Sequence, residues 1–184
     1  MRKLVLAAAL LALATPALAQ RAPPAGQQAV SSATRQFVDK AAMTDMFEIQ
    51  AGQIAQQKST TPAYKDFAQM TIDDHTKTTE QIKSMLPKLP GVQPPPQLDK
   101  KHQALLDKLN AASGAAFERT YKSDQVKGHR EAVAMFERYA KRGDNPDLKK
   151  WAADTLPTLR THLQHAQALP RSGPAPTVGS GTRK

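Results

Sequence analysis

One glutamate and three histidines stand where long helices should turn their side chains inward: Glu48, His75, His129 and His162. Each lies three or four residues from apolar or small neighbours, the spacing that keeps side chains on one helix face. Carboxylate and imidazole groups together are ligands for zinc, iron, manganese or copper. We therefore predict a transition-metal site, with Asp74 as an additional oxygen ligand or as a hydrogen-bond partner that orients a ligand.

A second interpretation needs no metal. A glutamate buried alone is costly, so Glu48 requires a partner, and a protonated histidine could supply the opposite charge. In that case the inner polar side chains form a network that only fixes how the helices pack. The residue types leave both interpretations open.

Distances from the interhelical turns place the inner residues at one level. At ~1.5 Å per residue, Glu48 and His75 lie ~18 Å and ~22 Å from the first turn. His129 and His162 lie ~22 Å and ~27 Å from the last turn. Because side chains tilt toward the N-terminus of their helix, the members of each pair approach one another. One layer across a bundle is predicted to contain all four groups.

Three other ionisable residues are predicted to lie at the surface. His102 stands among lysines, and Asp124 lies toward a helix edge. His165 follows His162 by three residues, a spacing that can share a metal, but surface placement is favoured. Pro157, inside the last helix, is predicted to kink it and to free the carbonyl of Ala153.

Capping residues and helix breakers divide the chain into helices. The predicted helices cover about 32–58, 62–86, 98–112, 114–142 and 146–169. Proline follows the caps Thr61 and Asn145, as is typical of a first helical turn. Five prolines make 87–96 an extended connector. We predict an all-α, ferritin-like four-helix bundle with an extra short helix in the long connection between the two helical hairpins. Two topologies fit this pattern of helices: a bundle of simple antiparallel order and a bundle with one long crossover connection.

The ends of the chain differ from its middle. Residues 1–19 carry Arg2 and Lys3, then an apolar run, then Ala17-Leu18-Ala19, which predicts a cleavable signal peptide and a periplasmic protein. The apolar run is shorter than the roughly 20 residues that span a bilayer, so no integral membrane segment is expected after cleavage. We predict a flexible leader over 20–30, the bundle over 31–169 and a disordered tail over 170–184.

The balance of charge is basic. The chain has 26 Lys and Arg against 16 Asp and Glu, a net charge of +10 that becomes +8 without the signal peptide. Aromatic and basic residues do not alternate, so no nucleic-acid partner is predicted. Anionic envelope surfaces are candidate partners, and the oligomeric state is left open. The absence of cysteine excludes disulfides and thiolate ligands.

Several short motifs resemble a known family. They are Phe47-Glu48-Ile49, Phe67-Ala68-Gln69-Met70 leading to Asp73-Asp74-His75, Gly128-His129, and Leu156-Pro157-Thr158-Leu159-Arg160 with His162-Leu163. Over about 35–169 the chain resembles the DUF4142 type of exported bacterial proteins, which have a ferritin-like domain of unknown function. The resemblance implies a helical bundle in the periplasm or cell envelope. It also implies that Glu48, Asp74, His75, His129 and His162 are family features.

The chain departs from true ferritins at two positions. Ferritin di-iron sites use two Glu-x-x-His pairs and two further glutamates. Here Ile72 precedes His75 by three residues and Leu159 precedes His162 by three, so both glutamates of the pairs are missing. We predict at most a mononuclear, histidine-rich centre with a role in envelope metal handling or stress protection, and we favour a protein without enzyme activity. The alternative is a non-catalytic structural or interaction module.

Overall fold

Residues 29–171 of the chain are described by the computed structural model. Five α-helices occur in this range, together with one turn of 3-10 helix at Leu86–Lys88 and no strand. The α-helices are α1 Ser32–Lys58, α2 Pro62–Met85, α3 Lys100–Ala111, α4 Gly114–Arg142 and α5 Pro146–Ala168. The predicted all-α class is confirmed. The predicted signal peptide, nearly all of the leader and the tail from 172 onward lie outside the described residues.

Polar side chains cap three of these helices at their first turn. Ser31 accepts a hydrogen bond from the backbone N–H of Thr34, and Asn145 accepts one from Leu148. Asp99 caps α3, which explains why that helix begins at Lys100, two residues later than predicted. The caps satisfy backbone N–H groups that have no partner inside a helix.

The connector after α2 is less extended than predicted. Pro87 lies within the 3-10 turn. Proline has no backbone N–H, and it is tolerated at the start of a helix because an N–H there would have no partner within the helix. Leu89 and Val92 turn inward and are buried at 3% and 6% exposure. The connector therefore closes one end of the apolar core.

Contacts between helices define the topology. Gln125 of α4 bonds Glu48 near the middle of α1, whereas Tyr139 bonds Thr34 near the start of α1, so α1 and α4 are antiparallel. The α2–α5 pair is also antiparallel. Gln81, late in α2, bonds Trp151 near the start of α5, whereas Tyr64, early in α2, bonds Pro170 just after the end of α5.

The short helix α3 carries the chain from one end of the bundle to the other. Near its start, Asp99 N–H lies 3.4 Å from the sulfur of Met43. At its end, Lys58 donates to the carbonyl of Asn110. The start of α3 thus contacts Met43 and its end contacts Lys58, so residue numbers rise in the same direction along both helices. The helices α1 and α3 are therefore parallel. The long connection is thus a crossover, as in ferritin-like bundles.

Two apolar clusters fill the bundle, one toward each end. The cluster near the connector includes Phe37, Phe136 and Trp151, and the other includes Phe67 and Tyr121. The buried polar residues between them form a layer enclosed above and below by apolar side chains. None of the helices in 29–171 is long and apolar enough to cross a membrane.

Candidate metal centre

Three histidines from three helices meet in this polar layer. His75 of α2, His129 of α4 and His162 of α5 are 2%, 1% and 1% exposed. Their ring centroids are 5.2, 5.5 and 5.7 Å apart. One ring nitrogen of each lies within 4.8 Å of the other two. Among the described residues, this is the group whose ligand atoms are close enough to hold one metal ion.

Buried acceptors hold the rings of His75 and His129. Nδ1 of His75 lies 2.8 Å from Oδ1 of Asp45. Nδ1 of His129 lies 3.0 Å from the backbone carbonyl of Gln125, one turn earlier in α4. Since a carboxylate and a carbonyl accept hydrogen bonds, each Nδ1 carries the proton. In the neutral rings, each Nε2 then presents a lone pair.

His162 is held in the opposite way. Its Nε2 lies 2.9 Å from Oδ2 of Asp74, a residue of α2. The bond uses Nε2, so Nδ1 is the nitrogen left for another partner. Asp74, which was predicted as an oxygen ligand or as an orienting partner, is in contact with the outer nitrogen of a histidine.

The remaining nitrogen of each ring has no hydrogen-bond partner. These atoms are Nε2 of His75, Nε2 of His129 and Nδ1 of His162, and all three are buried. Metal-binding histidines have this arrangement, in which one nitrogen bonds the metal and the other donates to a carboxylate or carbonyl. Bonds of ~2.0–2.1 Å to one zinc ion would bring three nitrogens to roughly 3.5 Å from one another, so small ring rotations suffice. The three residues fit a metal ion.

Glu48 lies beside this group and not within it. Its Oε2 accepts a hydrogen bond of 2.6 Å from the side chain of Gln125. Its Oε1 is 3.9 Å from Nδ1 of His129, the nitrogen that faces away from the other rings. The predicted layer therefore contains Glu48, but the structure brings only the three imidazoles together as neighbouring ligand atoms.

Burial and nearby charges set the protonation of the rings. Burial lowers the pKa of His129. Burial, together with the charge that His129 would carry, lowers the pKa of His162 to about 4. Both rings are therefore neutral at pH 7, the form that binds metals.

His75 titrates in the opposite direction. Burial acts to lower its pKa, but the hydrogen bond and charge of Asp45, together with the charges of Glu48 and Asp74, outweigh burial, and the pKa is raised. Burial also raises the pKa of Asp45. A metal ion at this ring must therefore displace a proton more strongly held than in a free histidine.

The other histidines lie apart from the centre. His165 is exposed, as predicted. The side chain of His102 is 23% exposed and bonds Asp99, so it is half-buried instead of exposed. Asp124 is also half-buried, and burial raises its pKa against the lowering effect of Lys108 and Lys127. These two placements correct the prediction of a fully solvated surface.

Two residues of the site were missed in the sequence. Asp45 lies three residues before Glu48, and Gln125 lies four before His129, so both share the inner face of their helix. That spacing was the available signal. The signal is weak, because the neighbouring residues Thr44 and Val126 fit the inner spacing equally well.

Solved structures share the fold. A DUF305 fragment from Deinococcus radiodurans matches with a TM-score of 0.67 and 16% identity, covering 77% of this chain and 97% of that one. CopM in the Cu(II)-bound form matches with a TM-score of 0.60 and 18% identity, covering 73% and 93%. The Cu(I)-bound form of CopM matches with 0.60 and 19%, covering 73% and 92%. At such identities the similarity concerns the fold.

Sequence comparison identifies the family. A search of curated protein sequences finds no significant match. Residues 19–169 match the family described as "Domain of unknown function (DUF4142)", a range that contains the whole bundle. The chain therefore belongs to the DUF4142 family.

Proposed function

We propose that this protein binds one transition-metal ion through His75, His129 and His162 and takes part in metal handling in the cell envelope. The observation that supports the proposal is the set of three buried ring nitrogens that approach one another without hydrogen-bond partners. Their outer nitrogens are each bonded to an acceptor, as in metal sites.

A purely structural network accounts less well for the same side chains. It would explain why Asp45, Asp74 and the Gln125 carbonyl bond the rings. It gives no reason for three inner nitrogens to remain unsatisfied, each at a cost of ~1–3 kcal/mol. A bound ion satisfies all three at once.

The ligand chemistry favours copper or zinc. Imidazole suits copper, zinc, iron and nickel, whereas manganese prefers oxygen ligands. Glu48 and Asp74 are engaged elsewhere, which disfavours the oxygen-rich sites of iron and manganese. Among the structural neighbours, CopM has been solved in Cu(I)-, Cu(II)- and Ag-bound forms. We therefore take copper as the first ion to test and zinc as the second.

We also propose that the protein acts in the periplasm after removal of residues 1–19, next to anionic envelope surfaces. The outer side of α4 contributes Lys127 and Arg130 to an open groove that Arg171 borders. Positive side chains near an anionic lipid surface contribute ~1 kcal/mol each. Binding to vesicles containing anionic lipid, lost at high salt and absent with neutral lipid, would support this partner.

Metal analysis of the natively exported protein tests the proposed centre. We expect about one ion per chain by mass spectrometry after purification from the periplasmic fraction. His75→Gln and His162→Gln should lose the ion. His165→Gln, which removes an exposed imidazole of the same helix, should keep it. Absence of copper and zinc from the wild-type protein, with no thermal stabilisation when either is added, would overturn the proposal.

A further inference from the structure

Of the hydrogen bonds that hold the three rings, two are enclosed and one reaches the surface. Asp45, the partner of His75, has 7% of its side chain exposed. The carbonyl that bonds His129 belongs to a fully buried glutamine. The partner of His162 is Asp74, whose side chain is 39% exposed. Among the three rings, His162 is therefore the one bonded to a group that water reaches.

We propose that the metal ion reaches and leaves the centre along the seam between α2 and α5, and that the hydrogen bond between His162 and Asp74 is its gate. The inference rests on the proposed function, since it concerns how the ion of that site is exchanged. Opening consists of breaking this bond and turning the His162 ring outward.

The cost of releasing each ring differs. Without the His75 ring, the buried carboxylate of Asp45 would keep only the hydroxyls of Thr78 and Thr79 as partners. Turning His129 away would break its bond to the Gln125 carbonyl and would pull a buried ring out from between Phe67 and the other two imidazoles. The loss at Asp45 carries the penalty of a desolvated charge, and neither movement brings water to the group that held the ring. When His162 turns away, water can replace it at the exposed Asp74 carboxylate, so this ring is the easiest to release.

The helix that carries His162 is weakened one turn earlier. Pro157 has no backbone N–H to donate to the carbonyl of Ala153, so α5 lacks one of its internal hydrogen bonds there. Both residues are exposed, and the carbonyl can be hydrated instead. α5 remains helical through this position, but its backbone can yield more readily there than in an unbroken helix.

Exchange rates measured on the full chain test the gate. The protein is first loaded with Cu(I), and one ion per chain is verified. The release rate is then measured as transfer of Cu(I) to an excess of a colorimetric chelator, and the uptake rate is measured separately on the metal-free protein. The same two rates are measured with Zn²⁺. Asp74→Ala removes the bond that must break on opening, so both the release rate and the uptake rate should rise about tenfold. The matched control is Asp73→Ala, which removes an exposed carboxylate that bonds Gln69 and not a histidine.

A second variant should act in the opposite direction. Pro157→Ala restores the N–H that α5 lacks, so opening becomes harder. Both rates should fall severalfold while the dissociation constant stays within about twofold of wild type, since both directions pass the same barrier. A residue that only orients a ligand would not change the two rates in parallel.

The outcomes separate this inference from the proposed function. Parallel changes of both rates in Asp74→Ala and Pro157→Ala, with Asp73→Ala near wild type, support the gate. Faster release of Asp74→Ala without faster uptake would overturn it and leave Asp74 as an orienting residue. Equal acceleration in Asp73→Ala, or rates of Asp74→Ala within twofold of wild type, would also overturn it. A wild-type chain that holds no ion fails at the loading step, which contradicts the proposed function itself.

Discussion

The side chain of Gln125 donates a hydrogen bond of 2.6 Å to Oε2 of Glu48, deep between α4 and α1. The backbone carbonyl of the same Gln125 accepts from Nδ1 of His129. One glutamine thus holds both the buried carboxylate and the buried ring, and it keeps Glu48 on the outer side of His129. Glu48 therefore lies beside the three imidazoles, with its carboxylate bonded to Gln125.

This arrangement predicts the behaviour of Glu48→Gln. The variant keeps the size of the side chain but removes one negative charge beside His129, so affinity for a cation should fall about tenfold. One ion per chain should still bind at saturation, because the three imidazoles remain. Competition titration against a chelator of known affinity measures both quantities. Loss of stoichiometric binding would mean that Glu48 is itself a ligand.

Acid should destabilise the metal-free protein through His162. The folded pKa of His162 is about 4, below the ordinary value of 6.5, so the unfolded chain binds a proton that the folded chain does not. Stability is therefore fully present above pH 6.5 and falls as the pH drops from 6.5 to 4. The loss amounts to about 3 kcal/mol at most.

Urea unfolding of wild type and His162→Gln across this range isolates the effect. Titration of groups away from the three imidazoles occurs in both proteins and cancels in the difference, which therefore reports His162 and its interaction with His75 and His129. We expect the stability of wild type relative to His162→Gln to decline as the pH falls, with chelator present throughout. Parallel curves for the two proteins would contradict a buried, neutral His162.

Gly52 allows the close approach of α1 and α2 that brings Asp45 to His75. A Cβ at Gly52 would lie 2.7 Å from Cγ1 of Ile72 and 3.1 Å from the carbonyl of Ala68. Overpacking costs ~1–3 kcal/mol, partly offset by the better helix propensity of alanine. Gly52→Ala should therefore lower the free energy of unfolding by about 1 kcal/mol.

A double variant distinguishes steric strain from other effects of Gly52→Ala. In an Ile72→Ala background the nearest side-chain atom is removed, so adding Gly52→Ala should cost less than it does in wild type. Denaturant unfolding of wild type, the two single variants and the double variant gives the free energy cost of Gly52→Ala in each background. An equal cost in both backgrounds would show that Ile72 is not the limiting contact.

Most of the fold could be predicted because its signals are local. The caps Ser31 and Asn145, and Pro62 at the start of α2, define helix ends through hydrogen bonds within one turn of the chain. The crossover could not be chosen in advance. It depends on where α3 packs, through contacts such as Lys58 with Asn110, and residues so far apart in sequence carry no periodic signal.

The candidate site was predicted only in outline, for a related reason. Helical spacing identifies which face a residue shares, and it predicts correctly that His75, His129 and His162 all lie on inner faces. It does not identify which side chain completes a hydrogen bond across two helices. Asp45 and Glu48 share one face of α1, but His75 bonds Asp45 because that carboxylate lies at the same height along the bundle as the His75 ring. That choice depends on the relative shift of the helices.

Anomalous diffraction from crystals of the copper- or zinc-loaded protein tests the central claim most directly. We predict one strong peak per chain, bonded to Nε2 of His75, Nε2 of His129 and Nδ1 of His162 at ~2.0–2.1 Å. Glu48 should remain bonded to Gln125. A peak elsewhere in the protein, or density at these three nitrogens that is explained by ordered water alone, would contradict the account.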